Sequence, residues 1–352
     1  MADTFDASPL RLIIVGLGFW GESWIAVVRQ SRHCKLVALV DNDEAALVRC
    51  ASAAGTDSRA CFESIAAAAE EVESDAVLVV VPPAMHTQLA LEALDHGLHC
   101  LIEKPFASTL KDARLVLERA NSSELVVMVS QQYRFRPGAR TVARLVETGA
   151  VGRIGAVHIH FANELPVRGF QHEMDEPLLM DMAIHHLDLM RGVLGVEPTR
   201  VQGASSNPSW STFKGNTAAT LIFDSEDGAI VTYTGTLVPR GARTGWDGVW
   251  DIFGEDGSIH WDGDEVLLRP LAWPFLARAR RRALKHEWTG YHVKPIKLQD
   301  ADRLGSLAEF RAAIRERREP ETSGRDNIRS LALTIAAVES TRTRATVELA
   351  VE

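Results

Sequence analysis

The sequence predicts an α/β chain in two parts. The first is a doubly wound parallel sheet and the second is an α/β domain on an open, mostly antiparallel sheet. Three observations predict this. Short aliphatic runs ending near Val15, Val40, Val81, Ile102 and Ser130 alternate with helical patterns through the first third of the chain, and repeated strand–helix units build parallel sheets. Those runs show no apolar/polar alternation, as expected of strands covered on both faces. Near Tyr133-Arg134-Phe135-Arg136-Pro137 the character changes to consecutive strand-like runs with short turns, such as Asp224-Ser225-Glu226-Asp227-Gly228 and Gly254-Glu255-Asp256-Gly257. Such turns join antiparallel neighbours. The expected domains are therefore 1–133 and 134–352.

The first strand, Arg11-Leu12-Ile13-Ile14-Val15, runs into Gly16-Leu17-Gly18-Phe19-Trp20-Gly21. Gly16 and Gly18 let the backbone turn tightly and approach a pyrophosphate, and Gly21 lets the following helix sit close to its strand. The helix N-terminus offers free N–H groups and a positive dipole end. A glycine pattern between a strand and a helix is the context a dinucleotide site requires. Phe19 and Trp20 lie inside this loop; Trp20 either reaches or shields a nicotinamide, or is a core residue under the helix.

The second strand, Lys35 to Val40, ends at Asp41. A carboxylate there accepts hydrogen bonds from the adenine-ribose hydroxyls and repels a 2′-phosphate. Asn42, Asp43 and Glu44 follow, with no arginine among them, which favours NAD over NADP. The alternative for Asp41 or Asn42 is to cap the next helix. That helix, Asp43 to Ala54, stops at Gly55. A weak strand follows at Ala60-Cys61-Phe62, and the helix from His86 to His96 stops at Gly97. Glycine after a helix takes the left-handed conformation that ends it. Ser108 or Thr109 caps a helix reaching Ala120.

Two strand ends carry candidate chemistry. Val80-Val81-Pro82-Pro83 must leave the sheet, because proline cannot continue the ladder. It leaves at the carboxyl edge, where open α/β sheets bind ligands. His86 beyond it is read as a cofactor contact or as a cap or surface residue. The next strand, His99-Cys100-Leu101-Ile102, delivers Glu103-Lys104-Pro105 to the same edge. Beside a nicotinamide, the Lys104 ammonium stabilises charge on a substrate oxygen; elsewhere it is a solvated charge.

In the second part a helix is expected over Pro137 to Glu147, ending by Gly149. Strands follow over Ile154 to Ala162, Arg200 to Ala204, Thr217 to Phe223, Ala229 to Thr236, Trp250 to Phe253 and Ser258 to Trp261. A long helix, Pro177 to Leu194, interrupts them, and helices over Arg303 to Arg315 and Asn327 to Arg342 come late. On the long helix, Asp181 and His185 are four apart and share a face, which Asp188 extends. A histidine beside a carboxylate suits proton transfer or forms a buried structural pair. His158 and His160 alternate on one strand face and could ligate zinc with these residues. No zinc spacing is present, however, and no metal site is expected.

The net charge of −9 argues against a nucleic-acid binder. Cys34, Cys50, Cys61 and Cys100 have no metal-site spacing and read as buried thiols in a reducing compartment. The acidic, polar start shows no signal peptide, and no apolar segment is long enough to span a bilayer. A cytoplasmic protein with no membrane partner is expected.

The Gly16–Gly21 loop, Pro82-Pro83, Glu103-Lys104-Pro105 and the Asp181-x-x-x-His185 helix together resemble the Gfo/Idh/MocA family of oxidoreductases. Gly254-x-x-Gly257-x-Ile259 and the final helix followed by Thr346-Val347-Glu348-Leu349 extend the resemblance over nearly the whole chain. It implies a Rossmann domain followed by an α/β domain whose open sheet builds a homodimer or homotetramer. The implied catalytic residues are Lys104, Asp181 and His185. His185 would take the hydroxyl proton as hydride leaves for the nicotinamide, Lys104 would polarise the oxygen, and Asp181 would orient His185 or bind the sugar. Glu103 would hold Lys104 or its loop. The chain departs from the family pattern at Ala183, where glycine is frequent, and at Glu176-Pro177-Leu178-Leu179-Met180, where a glycine-rich run is usual. The bulkier entry bears on the substrate more than on the chemistry.

The expected activity is NAD-dependent hydride transfer on a secondary alcohol or ketone of a sugar, cyclitol or related polyol. The alternative is a catalytically impaired NAD-binding regulator or scaffold. Trp210, Trp246, Trp250, Trp261, Trp273 and Trp288 are sugar platforms or, preferably, core and subunit contacts. Arg278, Arg280, Arg281, Arg282 and Lys285 are read as a solvated helix face rather than an anion site.

Overall fold

The computed structural model describes residues 8–165, 169–271 and 290–349. In chain order the elements are β1 (Leu10–Val15), α1 (Phe19–Gln30), β2 (Cys34–Val40), α2 (Glu44–Ala54), β3 (Cys61–Phe62), α3 (Ile65–Glu71), β4 (Ala76–Val79), α4 (His86–Asp95), β5 (His99–Glu103), α5 (Leu110–Ser123) and β6 (Val127–Ser130). Then come α6 (Pro137–Glu147), β7 (Ile154–Ala162), α7 (Ile184–Leu194), β8 (Pro198–Ser206), β9 (Ala218–Ser225), β10 (Ile230–Thr236), β11 (Val249–Gly254), β12 (Gly257–Asp262), β13 (Glu265–Pro270) and β14 (Tyr291–Val293). The last are α8 (Arg303–Glu316), α9 (Gly324–Thr343) and β15 (Val347–Glu348). No helix among the described residues is long and apolar enough to cross a membrane.

The chain forms two compact units. The first runs to Phe135 and resumes over Asp300–Leu331. Its sheet has the order β3-β2-β1-β4-β5-β6, with every pairing parallel. Strand order reverses between β1 and β4, which opens the crevice that binds ligands in such sheets. Local signals set the helix ends. Asp43, Ser64 and Thr109 accept N-cap hydrogen bonds from Ala45, Ala67 and Asp112, and Gly55 ends α2 at φ 63°. α8 belongs to this unit, although a boundary at 133 in chain order leaves it in the second. Its Leu307 and Phe310 are buried in the cluster that holds Leu12, Trp24, Met128 and Phe135. Burial of that kind is worth about 1.5–3 kcal/mol per side chain.

The second unit comprises Arg136–Gln299 and the chain from Ala332 onward. Its sheet has the order β14-β13-β12-β11-β7-β10-β9-β8-β15. β7 and β10 pair in parallel and the other pairings are antiparallel. Along β10, Val231 and Tyr233 are buried while Ile230 and Thr234 are exposed, the alternation of a sheet covered on one face. α6 packs on β12 and β13. β13 and β14 had no clear sequence signal. The helix expected from Pro177 is not uniform: Leu178–Ala183 is π-helical, and the α-helical part starts at Ile184.

Candidate functional site

The glycines of the first loop separate by what surrounds them. Gly16 has φ +90°, and a Cβ there would meet the Val80 carbonyl oxygen at 2.2 Å. A Cβ on Gly21 would lie 1.9 Å from the Gly16 carbonyl oxygen. Both glycines are dictated by the protein's own packing. Gly18 is different. It has an ordinary φ of −68° as the N-cap of α1, and a Cβ there meets nothing within 4 Å. The space beside it opens at a helix N-terminus, where N–H groups and the dipole attract an anion. The loop therefore fits a pyrophosphate.

Asp41 is not the cap of α2; Asp43 is. One Asp41 carboxylate oxygen accepts from the N–H of Leu17 at 2.6 Å and the other from the N–H of Asp43 at 2.9 Å. The acid thus clips the glycine loop to the end of β2. Each carboxyl oxygen has a further lone pair beyond these bonds.

At the carboxyl ends of β4 and β5, Pro82 is exposed and Lys104 is half-buried. The Lys104–Pro105 peptide bond is cis. His86 is neither a cap nor a surface residue. Its ring is 1% exposed, with Nδ1 2.7 Å from the Pro105 carbonyl oxygen and Nε2 2.9 Å from that of Val81. Burial pushes the imidazole's pKa down. A neutral ring donates to one of these two carbonyls, and its buried position between them packs His86 between the end of β4 and the segment after Lys104.

Glu103 is 4% exposed, and burial pushes its carboxyl pKa up. Oε1 accepts the indole N–H of Trp20 at 2.9 Å and that of Trp24 at 2.8 Å, and Oε2 accepts the backbone N–H of Lys104 at 3.1 Å. Trp20 remains 41% exposed and Phe19 67%. Trp20 is therefore neither loose in the loop nor a core residue. Trp24 and Arg303, which stacks on both indoles, were missed in the sequence. The i, i+4 spacing of Trp20 and Trp24 was a usable signal; Arg303 had none.

In the second unit, Asp181 lies inside the π-helical segment and His185 in the first turn of α7; both are buried, as is Asp188. Asp181 and His185 thus lie on either side of the change from i→i+5 to i→i+4 bonding. π-bulges recur at functional sites. The bulky entry faces the sheet: Leu178, Leu179 and Met182 are buried in a segment that packs on β9 and β10. His186, not singled out in the sequence, is fully buried. Its Nε2–H donates to the Trp246 carbonyl at 2.9 Å, its Nδ1 lies 3.3 Å from the Tyr233 hydroxyl, and burial pushes its pKa down to about 4.

The remaining candidates disperse. His158 and His160 hydrogen-bond Thr232 and Thr234 across the sheet. Trp250 and Trp261 stack in the core, with centroids 5.2 Å apart, whereas Trp210 and Trp246 are exposed. Trp273, Trp288 and the basic run Arg278, Arg280, Arg281, Arg282 and Lys285 lie outside the described residues.

A parallel sheet with a glycine loop at its reversal point, followed in the chain by a domain on an open sheet, is the architecture of a nucleotide-binding protein with a second, separate domain. Residues 10–131 match the oxidoreductase family with an NAD-binding Rossmann fold, Gfo/Idh/MocA, and residues 139–260 match that family's C-terminal domain. The chain belongs to this family. It is 26% identical over 366 residues to the D-apiose dehydrogenase of Paraburkholderia graminis, covering 99% of this chain and 92% of that protein. It is 28% identical over 341 residues to the uncharacterised protein y4oX of Sinorhizobium fredii, covering 94% and 93%. In fold it is similar, with a TM-score of 0.84, to an oxidoreductase from Agrobacterium radiobacter solved with NAD+, L-tartaric acid and magnesium. That match has 22% identity and covers 97% of this chain and 98% of the other.

Proposed function

We propose that the chain is an NAD-dependent oxidoreductase that moves hydride between nicotinamide and a secondary alcohol or ketone of a sugar, cyclitol or related polyol. The observation that carries this reading is the open face of Gly18 at the head of α1, in a chain whose two domains both match one NAD-binding oxidoreductase family. Gly16, Gly18, Phe19, Trp20 and Gly21 form the pyrophosphate loop. Asp41 takes the adenine ribose, and Pro82, Glu103 and Lys104 serve the nicotinamide end, with His86 supporting them through the backbone. Bound NAD supplies the hydride acceptor.

The chain's own groups handle charge and protons. The Lys104 ammonium donates to the substrate oxygen and stabilises the negative charge that develops there. His185 takes the hydroxyl proton, and Asp181 orients His185 or binds the substrate. NAD is preferred over NADP because Asp41 stands where a 2′-phosphate would meet its charge. The working form is a cytoplasmic homodimer or homotetramer with a small polyol or sugar substrate.

The test is a panel of sugars, inositols and sugar acids with NAD at alkaline pH, alongside titrations with NADH and NADPH. Turnover of a panel member and tighter NADH binding are expected. Tighter NADPH binding defeats the Asp41 argument. Tight NADH binding without turnover favours the regulator.

A further inference from the structure

Trp20, Ser23 and Trp24 sit at i, i+3 and i+4 on α1 and therefore share one face of that helix. Arg303, at the start of α8, covers this face. Its guanidinium carbon lies 4.8 Å from the Trp20 ring centroid and 5.1 Å from that of Trp24, and Nη1 donates to the Ser23 hydroxyl at 2.7 Å. The edges of the same two indoles point their N–H groups at one oxygen of Glu103. The other oxygen holds the backbone N–H of Lys104. A cation over an indole face and a carboxylate at its N–H edge both match the charge distribution of the ring. Burial works against the Arg303 charge, and Glu103 works for it.

We infer that Arg303 is a positioning residue for the dinucleotide site: by stacking on Trp20 and Trp24 it holds the first turn of α1, and through Glu103 the start of the Lys104 segment, in the form that accepts the nucleotide. Trp20 makes the argument specific. It is two residues past Gly18 and 41% exposed; Glu103 holds the edge of its ring and Arg303 the face, so loss of Arg303 leaves the indole fixed at its N–H alone beside the glycine loop. The inference rests on the dinucleotide reading of that loop. It adds a residue of α8 whose contacts are with Trp20, Ser23 and Trp24.

The test is calorimetric titration of NADH into the wild type, Arg303→Met, Arg303→Lys, Trp20→Phe and the double variant Arg303→Met/Trp20→Phe, with thermal midpoints measured in parallel. Arg303→Met is expected to weaken NADH binding about tenfold. Arg303→Lys should lose less, since it keeps the charge but not the flat plate. The double variant is expected to bind within about twofold of the weaker single one, because both changes remove the same stack. A purely structural Arg303 would lower the midpoint and leave the affinity unchanged, which overturns the inference. So does a double variant whose loss is the product of the two singles. Should Arg303→Met fail to fold, Trp20→Phe and Arg303→Lys decide: wild-type affinity in both overturns the inference. A wild type that binds no NADH overturns the dinucleotide reading and this inference with it, whereas a wild type that binds and variants that match it overturn this inference alone.

Discussion

At the scale of single residues, Gly16 and Gly18 share one role in the sequence reading and part company in the structure. Gly16→Ala forces a side chain against the Val80 carbonyl at positive φ and should cost about 3 kcal/mol or more of stability, read from urea unfolding. Gly18→Ala has open space and an ordinary φ. Its unfolding free energy should stay within about 0.5 kcal/mol of the wild type, while NADH affinity in a fluorescence titration falls about tenfold or more. Equal NADH affinity in Gly18→Ala would mean that the space beside it is not the pyrophosphate site. The motif was legible because strand, glycines and helix are contiguous. The difference between Gly16 and Gly18 was not, because it depends on Val80 and Val81, which are distant from the loop in sequence.

At the scale of elements, α7 is held to its sheet by a histidine that must stay neutral. Burial lowers the His186 pKa from 6.5 to about 4. A depressed folded-state pKa contributes stability that is present above pH 6.5 and lost as pH falls through about 4; for this shift the loss is roughly 3 kcal/mol. Thermal midpoints measured from pH 7 to 4 should therefore fall less steeply in His186→Gln than in the wild type. Some slope should remain, since burial lowers the His86 and His99 pKa values as well. Identical slopes would remove His186 from the account. α6 makes a second element-scale test. A Cβ on Gly138 would lie 1.9 Å from the Gly263 carbonyl oxygen, so Gly138→Ala should lift α6 off β12 and β13 at a cost of about 1–3 kcal/mol, measured by urea unfolding. The existence of α6 and α7 was legible in the sequence. The π-helical entry was not, because it differs from an α-helix by backbone register rather than by residue type.

At the scale of the whole molecule, the order of elements was written in the sequence far more clearly than the grouping of segments. The alternation of strands and helices up to Ser130 and the change of character near Tyr133 are local patterns. The return of Asp300–Leu331 to the first unit is a matter of which core buries Leu307 and Phe310, and no local pattern encodes it. A fragment ending at Phe135 should therefore lack a cooperative urea transition, and a sharp two-state transition in that fragment would contradict the assignment of α8. In the same way, Lys104, Asp181 and His185 are proposed from residue type, spacing and family resemblance, while the contacts of Trp24, Arg303 and His186 depend on distant partners. The central claim is that this chain performs hydride transfer with Lys104 at the substrate oxygen. It is tested most directly by the steady-state kinetics of Lys104→Ala, on a sugar or polyol that the wild type oxidises, with NADH affinity measured on the same preparation. The account predicts turnover reduced at least about a hundredfold with NADH affinity within about threefold of the wild type; wild-type turnover in Lys104→Ala would contradict it.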